Sequence, residues 1–128
     1  MSSQKQGVKY KHIYRKGVDD LCSSMQRLID EHDALDKKYR QLSYTRSILS
    51  AGEKKDWNRL EDRWLTQKRL LVKSVSLKHE TMYGRALINA KMLENTPDYY
   101  EYIAEVERIH NRYREVFNNL QRLTLYHL

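Results

Sequence analysis

Leucine recurs at every seventh position from Leu21 through Leu28, Leu35 and Leu42 to Leu49, and Val18, Met25 and Tyr39 stand three positions before three of these leucines. A helix turns once in about 3.6 residues, so this spacing keeps the side chains on one stripe, and a stripe this long must be covered by another helix. It predicts a helix over residues 18–49, roughly 48 Å at helical rise, with Asp19 and Asp20 favourably placed near its positive end. His32 and Arg46 take seam positions where an apolar residue is expected. Such interruptions weaken a seam but fix its register.

Ser50-Ala51-Gly52-Glu53 is the first turn signal, because Ser50 and Glu53 have capping-box spacing and Gly52 eases a reversal. A second helix is expected over 53–94. There the apolar repeat changes to eleven residues, through Leu60, Leu71, Met82 and Leu93, with Trp64, Val75 and Ala86 interleaved and Leu65, Val72, Tyr83, Leu87 and Ala90 widening the face. So broad a face serves two neighbours. In Asn95-Thr96-Pro97-Asp98, Asn95 can end one helix, Thr96 can cap the next and Pro97 suits its first turn. The third helix, over 97–127, alternates three and four through Tyr99, Tyr102, Val106, Ile109, Tyr113, Val116, Leu120 and Leu123.

The predicted fold is all-α, with three long helices in an antiparallel coiled-coil-like bundle. Residues 1–17 precede it as a basic, flexible arm with Gly7 and Gly17 and no sustained apolar period. In length and connectivity, residues 18–127 resemble spectrin-like three-helix repeats, a likeness that implies shape alone. The basic arm ahead of heptad leucines superficially resembles the basic leucine-zipper family. That family reads bases with an unbroken helix, whereas Gly17 interrupts this one and the Asn- and Ala-rich recognition pattern is missing. Parallel self-pairing would also bring Glu31 toward Asp36 of a second copy.

The chain's 128 residues carry a net charge of +7, and the cations cluster. Lys9, Lys11, Arg15 and Lys16 lie in the arm, and Arg63, Lys68, Arg69 and Lys73 lie in a stretch free of acids, which makes all eight candidate contacts for phosphate or another anion. No run is long and apolar enough to span a bilayer, and the polar start has no signal-peptide core, so an intracellular protein is expected, nuclear or cytoplasmic. Cys22 is the sole cysteine, which excludes an internal disulfide.

Catalytic signatures are missing. Glu107 and His110 have the spacing of di-metal carboxylate bundles, but such sites need a second pair. No glycine-rich phosphate loop, zinc-binding His pair or serine elbow occurs. No enzyme activity, metal or cofactor is therefore expected. The pattern predicts a scaffold or adaptor subunit of a multiprotein assembly, binding a protein partner through helical surfaces, with Leu21, Leu28, Leu35, Leu42 and Leu49 as the partner-helix seam and a dimer or hetero-complex as the working state. A nucleic-acid- or chromatin-associated module and a helical secretion chaperone or export-apparatus stalk are the alternatives.

Overall fold

The computed structural model describes residues 2–128, with side chains from His12 onward. The fold is all-α, as expected: α1 (Ser2–Tyr44), α2 (Ala51–Met92) and α3 (Tyr99–Arg122) all pack on one another, with no strand among the described residues. Long-range bonds give the directions. Trp64 reaches back to Leu28 and His79 to Tyr14, so α2 is antiparallel to α1; Tyr102 bonds Ala86 and Tyr83 bonds Glu107, so α3 is antiparallel to α2. Consequently α1 and α3 run parallel.

Local chemistry sets the reversals. After α1 a short 3-10 turn, Arg46–Ile48, leads to Ser50, whose hydroxyl accepts from the Glu53 amide while the Glu53 carboxylate accepts from the Ser50 amide. Gly52 lies inside α2, within its first turn. At the second reversal Asn95 takes a φ of 68°, a left-handed conformation that asparagine tolerates better than most residues. Thr96 does not cap α3; its hydroxyl donates back to the Leu93 carbonyl, and α3 begins at Tyr99, two residues later than expected.

The first correction concerns the arm. Residues 12–17 continue α1, because the heptad stripe extends one place further to Tyr14, which is buried in the core. Gly17 does not break the helix. It leaves room for α2's Met82, whose Sδ a Cβ there would strike. Gly17 therefore does not separate this chain from basic zippers, whereas the pairing of α1 with α2 and α3 of its own chain does. Lys9 and Lys11 lie outside the residues whose side chains are described.

The second correction concerns length. With 43 residues in α1, 42 in α2 and 24 in α3, α1 is as long as α2 and the short member is α3. The six residues after Arg122 are non-helical and form a strap over the α1/α2 hairpin. Lys68 holds the Leu123 carbonyl and Asn58 the Leu128 amide, so five residues of strap pass ten residues of α2, about 15 Å at helical rise. Only an extended chain reaches so far in so few residues. Leu125 is buried beneath the strap, and the Trp57 indole donates to the Tyr126 carbonyl at 2.9 Å.

Candidate functional site

Two α-helical seams share α2. The inner one carries Trp57, Trp64, Val75, Ala86 and Ala90 into the core. At 100° per residue, Leu70, Leu77 and Ile88 fall within about 20° of one another and roughly opposite that core. They are 64%, 58% and 64% exposed. Ser74, Thr81 and Gly84 complete the same three-and-four spacing, so the outer ridge alternates large apolar and small side chains.

Beside this ridge the α1/α2 seam is open. Three hollows succeed one another along it: the first between Ala34 and Leu60, the second between Ser24 and Leu70, the third between Gly17 and Leu77. Leu35 and Leu71, half-buried, form part of their floor. Exposed cations, Arg59, Arg63, Arg69, Lys73, Lys78 and Arg85, border the ridge, and none is ion-paired among the described residues. Asp62 and Glu80 on α2 and Asp20 and Glu31 on α1 are the nearby acids.

The residues singled out in the sequence separate into distinct environments. Leu21 and Leu28 belong to the molecule's own core, and Leu35, Leu42 and Leu49 are half-buried toward the hairpin end, so this seam is largely satisfied inside the chain. Arg46 is exposed. Arg15 pairs with Glu105, while Lys16 is exposed. Arg63, Arg69 and Lys73 stand on the outside of α2. Lys68 does not: its ammonium donates to the Gln121 and Leu123 carbonyls, both at 2.7 Å, and lies over the Trp64 ring. Burial lowers its pKa. It caps the C-terminal end of α3, where a cation is favourable.

The buried polar groups form a second cluster. The Tyr14 hydroxyl and His79 Nε2 share a hydrogen bond of 2.8 Å, and the His79 ring stacks on Tyr113 with centroids 3.7 Å apart. Burial, assisted by His110, pulls His79 down to about 4, so it is neutral near pH 7; burial pushes the Tyr14 phenol well above its ordinary range. Tyr83 donates to Glu107 and stacks on His110, whose Nδ1 is buried without a partner. Burial also raises the Cys22 thiol. A neutral, stacked histidine bonded to a protonated phenol is a packed core element, and no three His, Cys, Asp or Glu side chains among the described residues gather as metal ligands.

Near the strap, His32 Nε2 lies 2.8 Å from the Thr124 carbonyl and so carries a proton, while Nδ1 faces the Asp33 carboxylate at 3.2 Å. Glu61 is buried, with His127 3.3 Å from one oxygen and the other oxygen unpartnered. Sequence reasoning missed His79, Glu61 and Asn89 as core residues because apolar periodicity is blind to buried polar groups. It also missed Leu70, Leu77 and Ile88, for which a signal existed: Leu70 and Leu77 are themselves seven apart, but the eleven-residue repeat of the inner face masked them. Comparison with family models, characterised proteins and solved structures finds no match to this chain.

Proposed function

We propose that this chain is a non-enzymatic helical adaptor, working inside the cell as a subunit of a larger assembly and binding a partner helix on the outer side of its α1/α2 hairpin. The observation that carries this reading is the second seam on α2, where Leu70, Leu77 and Ile88 stand exposed at helix-packing intervals. A helix partner buries such a stripe by laying its own apolar face against it. The seam first expected to serve, along α1, is occupied at its centre by α2 and α3, which shifts the docking surface to the next face. The buried, free Cys22 suits a reducing compartment.

Affinity purification of the wild-type chain and of a Leu70→Asp/Leu77→Asp variant tests the proposal. Both side chains are exposed, so the variant should retain its helicity by circular dichroism while losing its co-purifying protein. Identical recovery with both chains would defeat the reading.

A second reading, nucleic-acid association, draws on the unpaired cations Arg59, Arg63, Arg69 and Lys73 on the outside of α2. Phosphate binding by several cations weakens steeply with salt. Titration of duplex and single-stranded oligonucleotides at low and high salt tests it: binding should be present at low salt and fall steeply as salt rises, and no binding at low salt would defeat this second reading.

A further inference from the structure

Three observations on the outer side of α2 converge on what its partner must look like. The first is the apolar ridge, which runs from Leu70 to Ile88, about 27 Å at helical rise. The second is charge: cations border the ridge on both sides, with Arg63, Lys78 and Arg85 toward α1 and Arg69 and Lys73 on the far side, and the described residues offer them no ion pair. Elsewhere some cations are paired among the described residues, as Arg15 with Glu105 and Arg112 with Asp19, and others such as Arg27, Lys37, Lys55 and Arg114 are not, so it is their place along an uncovered apolar ridge that singles out the cations of α2.

The third is Gly84. It lies well inside α2, where glycine costs about 1 kcal/mol relative to alanine. Nothing lies within 4 Å of where its Cβ would be. Gly17 is a contrast, because its missing Cβ lets Met82 approach. Inside the free chain Gly84 has no such explanation, and a glycine on a helix surface allows another backbone to come close.

Resting on the adaptor reading above, the geometry points to one occupant for this surface: an amphipathic helix of an acidic partner protein, packed closely against Gly84, with its apolar stripe over Leu70, Leu77 and Ile88 and carboxylates on its flanks facing the cations of α2. Such a helix converts the three-helix molecule into a four-helix bundle. A second copy of this chain fits less well, since cations outnumber the acids Asp62 and Glu80 beside the ridge and its own α2 would bring mainly like charges to the flanks, where charge selects partners. Large apolar side chains of the incoming helix fill the places left by Ser74, Thr81 and Gly84, as knobs entering holes.

The test uses the full chain and two synthetic four-heptad peptides with the same leucine stripe, one flanked by Glu and one by Lys, each fluorescently labelled for anisotropy. The Glu-flanked peptide should bind about tenfold tighter or better at low salt. Lys73→Glu/Lys78→Glu should reverse that preference, and Gly84→Leu should abolish binding of both peptides while helicity is retained. Equal binding of the two peptides, with Leu70→Asp/Leu77→Asp abolishing both, would overturn the acidic partner and leave helix docking standing. A chain that ignores both peptides but self-associates in light scattering, with Leu70→Asp/Leu77→Asp restoring the monomer, would give the surface to a second copy. Binding of an oligonucleotide but of neither peptide, lost in Lys73→Glu/Lys78→Glu, would overturn both this inference and the adaptor reading.

Discussion

The seam between α1 and α3 and the seam between α1 and the outer side of α2 are built from the same helix to opposite standards. Along the first, Val18, Met25, Val106 and Tyr113 are buried, and the rim is closed by Arg15 with Glu105 and Arg112 with Asp19. Along the second, Leu70 and Leu77 stand exposed beside unpaired cations. The difference teaches that neither leucines nor charges by themselves mark a working surface in a helical bundle. What marks it is a seam whose apolar stripe and charged rim are both left without complements.

The largest test of that contrast sets one tryptophan against one leucine. Trp64 is buried and its indole donates to the Leu28 carbonyl at 2.9 Å, so Trp64→Ala removes a large side chain and its hydrogen bond and should cost about 3 to 5 kcal/mol in urea unfolding. Leu70→Ala should change stability by less than about 0.5 kcal/mol. If Leu70 costs as much as Trp64, the outer ridge is packed in the free chain and the comparison collapses.

Acid should act on the closed side alone. His79 is held down to about 4 by burial and by His110, against about 6.5 in an unfolded chain. Between those values the unfolded state binds more protons, so stability rises with pH and is lost as pH falls. From pH 7 to pH 5 the loss should be about 2 kcal/mol, and burial lowers His110 too, so it adds in the same direction. Replacing His79 by Phe should flatten most of this slope in denaturation curves taken at each pH. An unchanged slope would remove His79 as its source.

These contrasts also show what the sequence made legible. The α1 stripe and the α3 stripe could be read because their buried members, from Val18 and Met25 to Val106 and Leu120, are apolar at every expected turn except at His32. The Ser50 capping box and the Asn95 stop could be read because both are local chemistry. The inner face of α2 was only half legible: His79, Glu61 and Asn89 occupy core positions as polar residues, and the bonds they make, to Tyr14, to His127 through one Glu61 oxygen, and to the Arg85 carbonyl, depend on neighbours distant in sequence or on the preceding turn. The strap falls within the helix expected over 97–127, although Leu123-Thr124-Leu125 already alternates in steps of two, and Leu125 is the buried member. Of the candidate surface the cations Arg63, Arg69 and Lys73 were visible, but not that Lys68 among them turns inward, since a run of charges carries no record of which side its helix presents.

Lys68 gives a smaller test of the strap. Its ammonium caps the Gln121 and Leu123 carbonyls, and Lys68→Met keeps the stem but removes both bonds. A loss of about 1 to 2 kcal/mol is expected, with faster hydrogen exchange at the Leu128 amide, which bonds Asn58. Unaltered exchange there would mean that the strap is held by Leu125 and Trp57 without Lys68.

The smallest expected effect falls on the two glycines, which bring the comparison down to single atoms. Gly17 and Gly84 are both interior to helices, so alanine at either gains helix propensity and restricts the unfolded chain by about 0.5 to 1 kcal/mol. At Gly84 the new methyl group meets open space, and the free chain should become more stable by that amount. At Gly17 the methyl group meets Met82 Sδ, which must move, and crowding in a packed seam cancels or exceeds the gain. Parallel urea titrations therefore should show Gly84→Ala above the wild type and Gly17→Ala level with it or below. A stabilised Gly17→Ala would show that Met82 yields without cost and that the close approach of α1 and α2 is incidental. A destabilised Gly84→Ala would show that the outer side of α2 is already filled within the chain, which would leave no room for a fourth helix.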